Sequence, residues 1–326
     1  MTTTQEQADW FAETFAKLVA NVEQAVLGKH HVIELMFTAM ISEGHVLLED
    51  FPGTGKTSLA RAISETVEGV SNRIQFTPDM LPGDITGISV YDQKKGDWEF
   101  HAGPIFSNVV LADEINRASA KTQSALLEVM EERQVTSDGV SRPAPSPFMV
   151  VATQNPLDFQ GTYPLPEVQL DRFAMKISLG YADRASELEL MGRQDNGVML
   201  ATLPAVLPPD GFRGLIEAVR AVSVSLPLRN YVADILEATR EHQDLRLGVS
   251  TRGTLILLAV SRAYALGAGR DFVTPDDIKA VGHSVLAHRV AVTTEAEIDG
   301  VLAADILRQV LDSVPVPRVR TTHSDG

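Results

Sequence analysis

Leu47-Leu48-Glu49-Asp50-Phe51-Pro52-Gly53-Thr54-Gly55-Lys56-Thr57-Ser58-Leu59-Ala60 runs an apolar segment into a glycine-rich turn, and GKT then opens an amphipathic stretch. Strand, loop and helix in that order are what a phosphate cradle requires. Backbone N–H groups around Gly53, Gly55 and the helix start can surround a β-phosphate, Lys56 can reach the β and γ oxygens, and the Thr57 hydroxyl can ligate Mg2+. Asp50, Phe51, Pro52, Gly53, Thr54, Gly55, Lys56, Thr57 and Ser58 are therefore the expected nucleotide-binding loop. Asp50 stands where GxxxxGK[ST] has its first glycine. It tolerates unusual φ better than most residues but brings a carboxylate near anionic phosphate, so its side chain is expected to point away.

Length and composition bound the surroundings of this loop. At 326 residues, 44% hydrophobic and 22% charged, the chain reads as an ordinary globular protein with one large and one smaller domain. The cysteine count is 0, which excludes disulfides and thiolate metal sites. The start, Met1 to Trp10, lacks the basic residues and apolar core of a signal peptide, and no apolar run approaches the roughly 18 residues of a spanning helix. A cytoplasmic location is expected. The net charge of −15 disfavours electrostatic wrapping of nucleic acid or an anionic membrane.

Apolar runs alternate with amphipathic stretches up to about residue 180, predicting a mostly parallel sheet flanked by helices. The expected strands are His45–Glu49, Arg73–Thr77, Val109–Ala112, Phe148–Thr153 and Ala174–Leu179. Strand signals then nearly stop. A helix is expected over Asp183–Arg193, a proline-rich connection over Leu203–Asp210, and helices over Phe212–Val222, Asn230–Gln243, Thr251–Ala265 and Pro275–Ala287. Thr274-Pro275-Asp276-Asp277 supplies a cap, a proline at the first helical position and an acidic first turn. The expected division is a core over 1–195, a linker over 196–210, a helical domain over 211–316 and a fraying tail over 317–326. Two hairpins interrupt the core, at about 87–102 and 134–142. Each reads equally as a solvated loop or a functional tip.

Asn108 to Arg117 is a buried strand ending in two adjacent acids, Asp113 and Glu114. Beside a P-loop, Asp113 can hold Mg2+ and Glu114 can polarise the water that attacks phosphorus. A further strand, Phe148 to Thr153, ends at Gln154-Asn155-Pro156 on the usual ligand edge of such sheets. Asn155 either orients that water or serves plain turn chemistry.

The set LLEDFPGTGKTSLA, VVLADEINRAS, VVATQNP, PEVQLDRF and GVSTRGTL, in that order, resembles the MoxR family of AAA+ ATPases across nearly the whole chain. The segment Gln75 to Gly87 is similar to the same family. The resemblance implies an α/β fold, a three-layer αβα P-loop core with a mostly parallel five-stranded sheet plus a smaller all-helical lid. It implies a homo-hexameric ring with ATP and Mg2+ held where subunits meet. It places Lys56 and Thr57 in Walker A, Asp113 and Glu114 in Walker B, Asn155 as sensor 1, Arg172 as the arginine finger and Arg252 as sensor 2. The first hairpin becomes the helix-2 insert and the second the insert before sensor 1. Physically, the Arg172 guanidinium can neutralise charge on a neighbouring subunit's γ-phosphate, or pair with Asp171 or Glu167. Arg252 opens a helix whose dipole disfavours cations, so it either meets an anion such as ATP or faces solvent. Arg117 faces a subunit interface or the helix surface.

The leading expectation is an ATP hydrolase driving chaperone-like remodelling, maturation or activation of a protein partner. The resemblance makes that partner a separate von Willebrand factor A domain protein with a client complex. Alternatives are a nucleic-acid motor, which the acidic balance disfavours, a magnesium-chelatase-like metal-insertion subunit, and a nucleotide-binding scaffold without turnover.

Overall fold

The computed structural model describes residues 4–50, 53–154, 163–195 and 202–317. Five strands form one sheet: β1 (Val46–Glu49), β2 (Ser71–Gln75), β3 (Val109–Asp113), β4 (Met149–Gln154) and β5 (Met175–Ile177). Their spatial order is β2-β3-β4-β1-β5, and every neighbouring pair is parallel. Strand alternation splits the apolar residues between two faces. Val46, Leu48, Val109, Leu111, Met149 and Val151 face one core, while Leu47, Val110, Ala112, Val150 and Ala152 face another. Sheets buried on both sides read as continuous apolar runs, which is why these strands were legible. The strand ends differ from expectation: β2 begins at Ser71 and stops at Gln75, and β5 covers only Met175–Ile177.

The first core is shared. Phe11, Phe15 and Leu18 of the Gln5–Glu23 helix and Met36, Phe37 and Met40 of the His30–Ile41 helix join the sheet to Phe212, Leu257 and Val285 of the C-terminal helices. The C-terminal helices are Pro209–Ala221, Leu226–Glu241, Thr251–Gly267, Pro275–Leu286, Thr294–Ile298 and Ala303–Ser313. Thr274 and Asp277 cap the fourth of these reciprocally, as the acidic Pro-containing start predicts. A short antiparallel ribbon, Leu245–Leu247 with Ala291–Val292, joins these helices, so this part is not purely helical. Three residues on one side and two on the other are too few to leave a periodic signal.

The described part of the connection does not span open solvent. Leu203 is buried, Pro204 O accepts from Asn21 Nδ2 at 3.0 Å and Val206 N–H donates to Thr66 O at 2.9 Å. The helix expected at Asp183–Arg193 runs Arg184–Asp195. The two hairpins, Gly87–Asp92 with Asp97–Ala102 and Gln134–Ser137 with Val140–Pro143, lie against each other, and the Ser89 hydroxyl donates to the Asp138 carboxylate. Among the described residues no helix is long and apolar enough to cross a membrane.

Candidate active site

The β1 strand delivers the chain to a loop in which Gly53 and Gly55 have φ of +85° and +93°. L side chains rarely adopt that region, whereas nothing lies within 4 Å of a Cβ at either position, so conformation and not crowding requires glycine. Gly55 caps the Lys56–Thr66 helix, leaving its first N–H groups without intrahelical partners at the mouth of the loop. Lys56 Nζ donates to Asp50 O at 3.1 Å. Phe51 and Pro52 lie outside the described residues. Thr54 and Ser58 belong to the same loop and helix start but do not line the cavity described below.

Asp50 is buried, and its carboxylate turns away from the loop. Oδ1 accepts from Ser178 Oγ at 2.9 Å and Gly180 N at 3.0 Å, and Oδ2 accepts from Leu179 N at 2.5 Å. The backbone carbonyl of Asp50 reaches Lys56, while its side chain is not part of the wall of the cavity described below.

A cavity of about 400 Å³ opens beside this loop, lined on one side by Gly53, Gly55, Lys56 and Thr57. Asp113, Glu114 and Thr153 line the opposite wall, together with Arg73 and Gln75. The acids sit at the end of β3, and Glu114 adopts a left-handed φ of 57° that turns the chain out of the sheet. Thr153 of β4 braces both: its hydroxyl donates to Asp113 Oδ1 at 2.6 Å and accepts from the Glu114 N–H at 2.9 Å. Glu114 Oε2 accepts from Gln75 Nε2 at 2.9 Å and from Arg117 Nη1 at 3.0 Å. Arg117 therefore binds the acid of its own chain across one turn. Asp113 Oδ2 accepts from Arg73 Nη2 at 2.6 Å and Nε at 3.2 Å, and Arg73 Nη2 also donates to Gln75 Oε1.

Arg73, Gln75 and Thr153 were not singled out from the sequence as site residues. Arg73 and Gln75 are two apart on a strand and so share a face, and β2 pairs Gln75 with Asp113 in register. Their period was visible, but the pairing that brings them to Asp113 was not. Asn155 lies outside the described residues.

A hydroxyl on Thr57 and a carboxylate on Asp113, facing one cavity, are hard oxygen donors of the kind Mg2+ takes. Among the described residues no group of three or more His, Asp or Glu forms a metal cage. That donor set fits a cation bound largely through phosphate and water, with few protein ligands.

Arg172 and Arg252 lie elsewhere. Neither lines the Lys56–Glu114 cavity; both line a second space of about 80 Å³ with Met130 and Glu131. Glu131 pairs with both guanidinium groups, Oε2 to Arg172 Nη2 at 3.3 Å and Oε1 to Arg252 Nη2. The alternative partners expected for Arg172 are otherwise engaged: Asp171 pairs with Arg289 and Glu167 with Arg246. Nor does Arg252 point freely into solvent. It follows the Ser250 cap of the Thr251–Gly267 helix, and a carboxylate offsets the unfavourable dipole at that end.

Comparison with known proteins follows this geometry. Residues 45–175 match the family model described as ATPase family associated with various cellular activities (AAA), and residues 237–310 match the AAA lid domain. YeaC of Bacillus subtilis is 44% identical, over 94% of this chain and 95% of its own. Chaperone MoxR1 of Mycobacterium tuberculosis is 39% identical, with 96% of this chain and 85% of that one covered. Protein MoxR of Paracoccus denitrificans is 31% identical, over 95% and 98%. A crystal structure from Cytophaga hutchinsonii superposes with a TM-score of 0.90 at 38% identity, covering 96% of this chain and 98% of that one. Matched by the AAA and AAA lid models and 39% and 31% identical to the MoxR proteins over nearly its whole length, this chain belongs to the MoxR family of AAA+ ATPases.

Proposed function

We propose that this protein hydrolyses Mg2+-bound ATP at the Lys56–Glu114 cavity, within a ring whose subunits supply arginines to one another. The observation that carries the reading is a separation: Lys56, Thr57, Asp113 and Glu114 share one cavity, while Arg172 and Arg252 share a different one. Two cations held apart from their own phosphate loop have a use when a second copy presents its loop to them. Arg172 and Arg252 would then neutralise charge on the neighbour's nucleotide as the terminal bond breaks.

Within one subunit, the loop N–H groups and Lys56 bind and orient the β and γ phosphates. Bound Mg2+ offsets charge on those phosphates, and Thr57 and Asp113 are the residues that would hold it. Glu114 accepts the proton of the attacking water, a role that requires Gln75 and Arg117 to release part of its carboxylate. Asn155 is the proposed second contact to that water.

The output is chaperone-like work on a protein partner. Support comes from the relative named Chaperone MoxR1 and from the likeness to a family whose members work with separate von Willebrand factor A domain proteins. A hexameric, cytoplasmic assembly is the corresponding reading. The test is a pull-down with the Glu114→Gln trap and ATP: a von Willebrand factor A protein retained with nucleotide and lost without it supports the reading. Purified protein that neither retains labelled ATP nor releases phosphate removes it.

A further inference from the structure

Arg289, in the turn after the Pro275–Leu286 helix, is almost completely buried, an environment that a cation enters only with partners for its donors. Its partners surround Arg172 along the chain. Nε donates to Asp171 Oδ1 at 2.8 Å, Nη2 to Asp171 O at 2.9 Å and Phe173 O at 2.5 Å, and Nη1 to Ala174 O at 3.3 Å and to Val285 O. The fork thus grips the backbone on both sides of Arg172. The other oxygen of Asp171 accepts from the hydroxyl of Ser250, and Ser250 caps the helix that carries Arg252.

One fully buried guanidinium therefore connects the short segment bearing Arg172 to the helix end bearing Arg252, and Glu131 ties the two partly buried arginines together on the outside. Gly253 completes the arrangement. A Cβ there would stand 2.9 Å from Arg289 Cδ and 2.6 Å from Val249 Cγ1, so the residue next to Arg252 is kept small enough for Arg289 to pass. Attachment of the C-terminal helices alone does not call for such a group. An apolar side chain of similar volume would hold two surfaces together without the desolvation cost of a charge, whereas a fork of five donors fixes direction.

We infer that Arg289 is a positioning residue that sets Arg172 and Arg252 as one unit for the neighbouring subunit's triphosphate. The inference rests on the proposed function, in which those arginines act across the subunit boundary. Arg289 touches neither nucleotide nor water; it acts through the loop and helix end it grips.

Two variants test this. Arg289→Lys keeps the charge and loses the fork, and Gly253→Ala leaves every charge in place while crowding Arg289. Each is expected to lower kcat about 100-fold, the scale of a roughly 1 Å misplacement, with retention of labelled ATP unchanged. Mixed with Lys56→Ala subunits, which lack the phosphate-binding lysine but carry intact arginines, each is expected to recover turnover. Recovery marks the variant as a poor donor of arginines with a sound nucleotide site. Wild-type kcat in both variants, or loss of ATP retention in step with turnover, overturns the inference. So does failure to recover in mixtures where Arg172→Ala does recover. If Arg172→Ala also fails to recover with Lys56→Ala, action across the boundary falls and the inference falls with it.

Discussion

The Gln75 amide donates to the Glu114 carboxylate at 2.9 Å, so the group expected to receive a proton from water is held by a neighbouring strand. Glu114→Gln keeps the shape of that side chain and removes its basicity. Turnover is expected to fall about 10²- to 10⁴-fold, the usual weight of a general base, with ATP retention preserved. Phosphate release and filter retention of labelled ATP measure the two quantities, and undiminished turnover removes Glu114 from the role.

Arg172→Ala should lower kcat by roughly 10³-fold or more, on the scale known for arginines supplied to a phosphoryl group. The loss should be in kcat, because the residue does not line its own subunit's Lys56–Glu114 cavity, where ATP is proposed to bind. A rise in KM with normal kcat in steady-state phosphate release would contradict that placement.

Arg73 donates to Asp113 Oδ2 at 2.6 Å, and so would compete for that carboxylate with the Mg2+ proposed to bind there. Half of the Arg73 side chain is exposed, which keeps the interaction weak. Arg73→Ala is expected to lower the half-saturating Mg2+ concentration roughly two- to fivefold, the equivalent of an exposed ion pair. Turnover titrated against Mg2+ at fixed ATP gives the answer, and a higher requirement contradicts the competition.

Asp50→Ala strands the N–H groups of Leu179 and Gly180 together with the Ser178 hydroxyl. Loss of these bonds to a buried charge is expected to cost about 2–4 kcal/mol of stability. A shift of the denaturant midpoint reads it directly, and an unchanged midpoint shows that water replaces the carboxylate there.

His45 gives a pH prediction. Its ring accepts from Val150 N–H through Nδ1 at 2.9 Å and donates through Nε2 to Met130 O at 3.0 Å, a neutral tautomer. Burial, opposed by the Met130 bond, lowers its pKa from 6.5 to about 4. Below pH 6.5 the unfolded chain takes up a proton that the native ring refuses until about pH 4. Stability therefore falls as pH drops through that window, by roughly 3 kcal/mol for this one residue. His288, also lowered by burial, acts in the same direction. Denaturant midpoints between pH 7 and pH 4 should slope down, and His45→Gln should flatten the slope.

Local chemistry made part of the site legible. The loop needs glycines at positive φ and a lysine at the helix start, all within a few residues, and the acid pair ends a run of buried apolar residues. Arg73 and Gln75 escaped because their function depends on which strand lies beside β3, a fact of topology. Glu131 escaped for another reason: on an exposed helix face a glutamate reads as solvated surface, and only the approach of Arg172 and Arg252 from distant segments gives it work. The sheet itself was readable because both faces are buried, whereas the ends of β2 and β5 depend on their partners. That the linker segment 203–206 is packed was not legible, because prolines announce irregular backbone without saying whether it is packed.

The bond from Ser89 to Asp138 couples a strand of the first insertion to the turn of the second, two hairpins that leave the sheet at separate places. A pull on either hairpin is shared with the other. Strain from anything gripping that ridge would reach β3 and β4 by two routes, along the strands that carry Asp113 and Thr153 to the wall of the Lys56–Glu114 cavity.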